Sequence, residues 1–435
     1  MTRVFEILPG RIERPAAAAA GWLAARGVGG GDRIVVPAQN DPRLLALTQG
    51  ALRTGIVPVL INPAMDERER SWIESDAEPA LIVRDLDQID WDFGTAELAP
   101  RPLGRPMLYT SGTTGRPKGV WGGLLDEADA RAWALDEQAL WAAAPDAPVL
   151  VCSPLYHSAG HRLATAALIA GARILLLERF DADAVVRILS KQAVSSVFLV
   201  PTHLRRILQA GDPPAPRDAR KVLHAGESCP AELKRRALDW IENLWEFYGS
   251  TEGQFTAISP DEWRLRPGSV GRARAARTLS IAEAGEDGIG TVFVTAPPFA
   301  RWEYWRDPQR TAAAWRGGAF TAGDLGRLDD GYLTLAARRE DLIITGGVNV
   351  YPGMIEAALL EHPGVRDVAV FGVADDQWGQ RVCAAIVADE PLEAWIHERL
   401  HGPYLPKTVL RMDALPRTPV GKIDRAALRD AIASG

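Results

Sequence analysis

Short apolar, β-branched runs alternate with amphipathic stretches along most of this chain, and that alternation restricts its fold more than any other feature. Pro148 to Cys152, Arg173 to Leu177, Ser196 to Val200 and Lys221 to Ala225 read as buried strands. Between them, Ala182 to Ser190 and Ala231 to Ile241 carry helical spacing. The pattern predicts α/β layering. Internal repeats and low-complexity tracts are absent, apart from a Pro-rich loop around Asp212 to Arg217.

With 435 residues the chain exceeds what one hydrophobic core usually organises, so two or more domains are expected. The texture changes near residue 337. There a charged cluster, Arg338-Arg339-Glu340-Asp341, precedes a fresh α+β pattern. Leu342 to Ile344, a helix from about Pro352, and strands at Val368 to Val373 and Val382 to Val387 make it up. The predicted division is residues 1–337, a connection at 338–341, and a small domain over 342–435.

Composition excludes several function classes. A net charge of −7 supplies no overall positive field for nucleic acid or an anionic membrane. An anionic ligand would therefore need local cations, backbone N–H groups or a metal. Cys152, Cys229 and Cys383 lie far apart, without zinc-ligand spacing, which favours a reducing, cytoplasmic setting. The alanine run Ala16 to Ala20 reads as part of a surface helix rather than a targeting segment, since Pro9, Gly10, Arg11, Glu13 and Arg14 precede it. Stable membrane insertion is not expected, because no 18-residue apolar stretch follows.

The strongest chemical signal is the run from Tyr109 to Gly119, Tyr-Thr-Ser-Gly-Thr-Thr-Gly-Arg-Pro-Lys-Gly. Gly112, Gly115 and Gly119 free the backbone to turn its N–H groups toward an anion. Thr110, Ser111, Thr113 and Thr114 add hydroxyl donors, and Lys118 adds charge. The spacing is not that of G-x-x-x-x-G-K-[ST], because Gly119 follows Lys118. This run resembles the phosphate-binding signature of the adenylate-forming (AMP-binding) superfamily, which includes acyl-CoA synthetases and aryl-CoA ligases such as 4-chlorobenzoate-CoA ligase.

Further blocks strengthen the resemblance, which covers almost the whole chain. Phe247 to Gly253 resembles the family's Y-G-x-T-E motif. That implies Tyr248 on adenine, Gly249 beside it, Thr251 on the α-phosphate and Glu252 on Mg²⁺. Gly226 and Glu227 join the implied nucleotide set. Asp324, in Thr321-Ala322-Gly323-Asp324, matches the family's ribose-binding carboxylate, although Ala322 stands where Thr is usual. Arg338 is implied at the ribose and Glu340 at the hinge, with Ala337 in place of Gly. Lys422, in Pro416-Arg417-Thr418-Pro419-Val420-Gly421-Lys422, matches the catalytic lysine, a mobile cation suited to developing charge. The implied fold is a large N-terminal layered α/β domain with a small, mobile C-terminal α+β domain. Residues 83–106 look abbreviated relative to the family.

For the acid, Ser153 to Gly160 resembles the entry to the family's acyl pocket, with His157 and Ser158 as candidate wall residues beside Gly249 and Ser250. His157 reads either as a gating aromatic with a catalytic role or as a packed histidine. No Asp stands there to pair an α-amino group, which disfavours amino-acid substrates. Arg162 could meet a second carboxylate, but reads more simply as a solvated arginine. For the acceptor, Gly346 and Gly347 resemble a pantetheine channel, and Trp378 resembles an indole that meets the CoA nucleotide, with a core indole as the alternative. No carrier domain is expected after Lys422.

The implied activity is ATP-dependent conversion of a fatty or aromatic carboxylic acid to acyl-AMP, then transfer to CoA. ATP, Mg²⁺ and CoA are the implied ligands. The alternative acceptor is the phosphopantetheine thiol of a carrier protein. The reading leaves a homodimer open and expects no nucleic-acid partner.

Overall fold

A computed structural model describes residues 2–110, 117–209, 211–338, 341–417 and 423–433. At its centre is a six-stranded sheet whose spatial order is Val4–Ile7, Ile174–Leu177, Val149–Val151, Ser196–Leu199, Val222–His224 and Leu244–Glu246. The edge strand Val4–Ile7 runs antiparallel, and the five others run parallel. All four strands read from the sequence are present, trimmed by a residue or so at their ends. Their residues are buried on both faces, and this is why they appear as unbroken apolar runs rather than alternating ones.

Several helices begin where side chains cap them. The Asp181 carboxylate accepts the amide of Ala184 at the start of Ala182–Lys191, and Asp41 accepts that of Arg43 at the start of Pro42–Leu52. Helix Glu13–Ala24 corrects the expectation of a surface alanine helix. Ala16, Ala18, Ala19 and Ala20 are buried against Pro42–Leu52. A Cβ at Gly50 would stand 2.2 Å from the Ala16 carbonyl oxygen. Small residues on both helices are what let the two backbones approach so closely. From Val83 to Leu108 the only helical element is the turn Leu86–Gln88.

The larger part also contains two two-stranded pairs and three further sheets: Val57–Ile61, Arg33–Pro37 and Leu81–Ile82; Glu303–Tyr304, Lys118–Trp121 and Leu108–Thr110; and an antiparallel sheet that includes Gly290–Thr295, Asp324–Asp329 and Tyr332–Arg338. Beyond this, a separate sheet joins Val348–Val350, Ile343–Thr345, Gly379–Ala388 and Val365–Asp375, with Thr408–Arg411 beside Gly379–Ala388. Its faces are covered by helices Pro352–Leu359, Glu393–Arg399 and Arg425–Ala433. The apolar clusters on this sheet draw only on residues from Ile343 onward, and the remaining clusters draw on none of them. A large N-terminal α/β part and a small C-terminal α+β part therefore each have a core of their own. Among the described residues no helix is long and apolar enough to cross a membrane.

Candidate active site

The central sheet defines where chemistry is to be sought. Along the chain its parallel strands run 149, 174, 196, 222, 244, but in space 174 lies on one side of 149 and 196 on the other. Strand order reverses there, and open α/β sheets bind ligands beyond the carboxyl ends of strands at such a point. Val149–Val151 leads into Ser153 to Ser158, and Ser196–Leu199 leads into Pro201 and Thr202. Val222–His224 leads into Gly226 and Glu227, and Leu244–Glu246 into Tyr248 to Glu252. The proposed acyl and nucleotide segments thus issue from one edge of one sheet.

Local geometry explains several of the residue types. Gly249 pairs with Gln254 across a tight turn, and a Cβ on it would lie 2.6 Å from the Gly253 carbonyl oxygen. A side chain there would force the turn open. Gly226 has φ +91, a left-handed conformation that suits glycine. Glu227 is held by Thr202, whose hydroxyl donates to its carboxylate at 2.7 Å. Its placement fixes the loop to the first turn of helix Pro201–Gln209.

Two polar chains cross the site. The Tyr248 hydroxyl donates to Asp324 Oδ2 at 2.5 Å, and both residues are buried. Asp324 in turn lies opposite Arg338 in the strand register, so the two candidate ribose contacts come together from different strands. In the second chain, Lys118 Nζ donates to the Tyr304 hydroxyl at 3.1 Å, and that hydroxyl donates to Glu252 Oε1 at 3.0 Å. The ammonium also lies 4.2 Å from the centroid of the Tyr304 ring. Tyr304 was not foreseen. Its strand pairs with Lys118–Trp121, with Tyr304 opposite Val120, a contact made across a long sequence separation with no local motif to announce it. Near these chains the hydroxyl oxygens of Thr110 and Ser250 are buried without a hydrogen-bond partner among the described residues.

His157 sits at the N-terminal end of helix Ser158–Ile169, half-buried, its ring 4.5 Å from that of Tyr156. Arg162 overturns the expectation of a solvated arginine. It is buried and bound to Glu137 by contacts of 2.6–3.2 Å, and Glu137 also accepts the Trp141 indole N–H at 2.8 Å. Burial works against the charged guanidinium, but the Glu137 carboxylate outweighs it and the pKa of Arg162 is raised. His161, one position earlier, is pushed down to about 4 by burial and then by the charge of Arg162.

In the smaller part, Gly346 and Gly347 form the two-residue turn between strands Ile343–Thr345 and Val348–Val350. Their φ values of +57 and +81 are the left-handed pair that a tight hairpin turn needs. A Cβ on Gly346 would lie 3.0 Å from the Trp378 ring, whereas one on Gly347 would meet nothing within 4 Å. Close approach within the chain therefore belongs to Gly346, and a side chain at Gly347 would enter open space. Trp378 is 42% exposed, which removes the core alternative. Ser111, Gly112, Thr113, Thr114, Gly115, Glu340 and Lys422 lie outside the described residues, as does the side chain of Arg338. The residues flanking the lysine segment, Arg417 and Ile423, form a bridge, and Arg417 binds Asp367 at 2.7 Å.

With this architecture and these segments in place, the class of protein follows. The AMP-binding enzyme description matches residues 11–101 and 106–291, and the AMP-binding enzyme C-terminal domain matches residues 354–422. The chain belongs to the AMP-binding enzyme family. It is 30% identical to a 2-succinylbenzoate–CoA ligase of Bacillus anthracis, over 93% of this chain and 89% of the relative. It is 33% identical to an indoleacetate–CoA ligase of Aromatoleum aromaticum, over 90% of this chain and 78% of the relative. In structure it resembles the o-succinylbenzoate CoA synthetase of Bacillus subtilis in complex with its acyl-adenylate intermediate. There the TM-score is 0.86 at 26% identity, covering 96% of this chain and 92% of the other.

Proposed function

We propose that this enzyme is an acid–thiol ligase that activates a fatty or aromatic carboxylic acid with ATP and passes the acyl group to CoA. The observation that carries the reading is the convergence of the nucleotide and acyl segments at the carboxyl edge of the central sheet, where strand order reverses. Relatives that share nearly the whole chain are CoA ligases by name.

The chemistry divides into two displacements. A carboxylate is a poor electrophile because oxide is a prohibitive leaving group. Its oxygen attacks the α-phosphorus of ATP, a P–O bond forms, and the bond to pyrophosphate breaks. A thiol then attacks the acyl carbon, the thioester forms, and the C–O bond to AMP breaks with AMP leaving as an anion. Positioning and charge stabilisation are the protein's share of both steps.

Within this reading the Thr110–Lys118 segment surrounds the phosphates, Thr251 meets the α-phosphate, and Asp324 with Arg338 holds the ribose. The Tyr248 ring stands against adenine while its hydroxyl steadies Asp324. Among the described residues no cluster of three or more His, Cys, Asp or Glu side chains could hold a metal. A single buried carboxylate fits Mg²⁺, which usually takes one or two carboxylates together with substrate phosphates. Glu252 would hold it, and the ion would supply charge neutralisation between phosphate oxygens. Lys422 would face the carboxylate and α-phosphate from the small part, with reorientation about Glu340 exchanging it for the thiol channel at Gly346 and Trp378.

The test is a screen of carboxylic acids with ATP and Mg²⁺, read by pyrophosphate release and hydroxamate trapping, followed by addition of CoA. Acyl-AMP should form first, a thioester should follow with free CoA, and Lys422→Ala should lose most of the first step. Absence of acyl-AMP with every acid would refute acid activation. Acyl-AMP without thioester would move the acceptor to a carrier-protein thiol.

A further inference from the structure

A cavity beside the site is lined by an excess of positive charge that the described residues balance only in part. Arg105, Ser158, His161, Arg162, Gly122 and Thr251 line it, with Leu108 and Val120 as apolar walls. Around it stand four arginines and two carboxylates. Arg162 is paired with Glu137, while Arg274 and Arg277 share Asp136 at 3.1 and 2.9 Å. Arg105 is left over. Its guanidinium donates to the Arg301 carbonyl at 2.8 Å and forms no ion pair among the described residues. Desolvation, and then the charge of Arg162, lower its pKa below the ordinary guanidinium value. The slot that holds it is specific: a Cβ at Gly122 would stand 2.2 Å from Arg105 Nη2.

A second, independent feature points into the same cavity. His161 is 2% exposed, and its Nε2 has no hydrogen-bond partner among the described residues. Buried polar atoms are ordinarily satisfied, and the half-buried Arg105 guanidinium, with no ion pair among the described residues, adds an unneutralised charge beside this one. Both deficits would be met by one anionic group entering between them. The cavity is narrow, about 20 Å³, which admits a compact head rather than a ring.

Building on the acid-activation reading, we propose that the substrate is a dicarboxylic acid, or an acid with an equivalent distal carboxylate, whose second carboxylate is bound by Arg105 with His161 beside it. Thr251, the proposed α-phosphate contact, lines the same cavity, so a carboxylate held there lies beside the proposed place of acid activation. Arg162 does not take part directly: Glu137 already neutralises it, and its role is to position the helix face that carries Ser158 and His161.

The experiment compares aliphatic and aromatic dicarboxylic acids with their monomethyl esters by ATP–pyrophosphate exchange in the full-length protein. Each ester removes the distal charge and keeps the carbon skeleton. At least one diacid should exceed its ester in kcat/KM by about tenfold to a hundredfold, as expected for a charge-assisted pair. In Arg105→Gln that ratio should fall toward one through the KM of the diacid, and Arg105→Lys should retain part of it. Gly122→Ala provides a separate route, since it displaces the guanidinium without removing charge, and it should also lower the ratio. A wild-type ratio near one for every pair overturns the proposal, as does a ratio that survives both Arg105→Gln and Gly122→Ala. If neither variant folds, the wild-type ratio decides. Failure of the enzyme to adenylate any acid would instead refute acid activation itself.

Discussion

Glu137→Gln tests the charge arrangement behind the acyl site most directly. The substitution keeps shape and one carbonyl oxygen but removes the counter-ion from Arg162. Both residues are buried, and the pair is joined by three contacts of 2.6–3.2 Å. Leaving one partner of a buried pair uncompensated costs about 3–5 kcal/mol. Here the upper half of that range is expected, because Arg105 and Arg277 already crowd the same region with like charge. For a domain of roughly 340 residues the unfolding entropy is about 0.7 kcal/mol/K, so the melting temperature should fall by about 6–7 °C. Differential scanning calorimetry reads this in the transition of the large domain. The double variant Glu137→Leu with Arg162→Met should recover most of the loss, because desolvating two charges roughly cancels their attraction. A fall below about 1 °C in Glu137→Gln, or a double variant no better than the single, would refute the reasoning.

Three other outcomes follow from the same geometry. Tyr304→Phe removes the hydroxyl between Lys118 and Glu252, leaving a buried carboxylate oxygen short of a donor; stability should drop by about 1–3 kcal/mol, and single-turnover acyl-AMP formation should slow about tenfold, whereas an unchanged rate would place Tyr304 outside the chemistry. His161 and His203 are held down to about 4 and about 3, in each case first by burial. The folded protein therefore binds fewer protons than the unfolded chain below about pH 6.5, so stability present at neutral pH is lost as pH falls toward 4, by up to about 1.4 kcal/mol per pH unit for each ring. Urea titrations of His161→Gln against wild type should show a shallower loss across that window; parallel curves would contradict it. Trp378→Ala should leave the melting point within about 1 °C, since the ring is exposed, but weaken thioester formation from acyl-AMP by about 1–2 kcal/mol, and equal rates with CoA would remove Trp378 from the thiol site.

What could be read in advance depended on whether a residue's surroundings come from nearby in the chain. The strands Ile174–Leu177 and Ser196–Leu199 were legible because burial on both faces leaves an uninterrupted apolar run. Gly249 was legible because its motif and the carbonyl that demands a glycine lie in the same turn. Ala16 to Ala20 was misread as exposed because alanine is compatible with either environment, and only Gly50, on the neighbouring helix, decides it. The turn at Gly346 and Gly347 was recognised as important, but its geometry assigns the close contact to Gly346 alone. Periodicity contains no information about the indole of Trp378 that lies across from it.

The division between what was legible and what was not follows the division of labour in the site. Groups proposed for the nucleotide occur at strand ends, where a few consecutive residues supply a whole contact surface and so form a recognisable motif. Groups that would choose the acid are assembled differently. Arg105 precedes the strand Leu108–Thr110, Gly122 follows the strand Lys118–Trp121, His161 lies on the helix Ser158–Ile169, and the carboxylates Asp136 and Glu137 lie on the helix Glu127–Trp141. No two of these elements share a local pattern, so an arginine at position 162 can be assigned to solvent or to core only after its partner is seen. Charge balance is a property of the packed cluster, and the surplus at Arg105 exists only once Glu137 and Asp136 have been allotted to their own partners. The segments proposed for the chemistry common to the family are accordingly contiguous, whereas the proposed choice of acid would lie in the packing between elements. A single substitution at Arg105 or Gly122 should therefore change which acids are accepted while leaving every sequence motif intact.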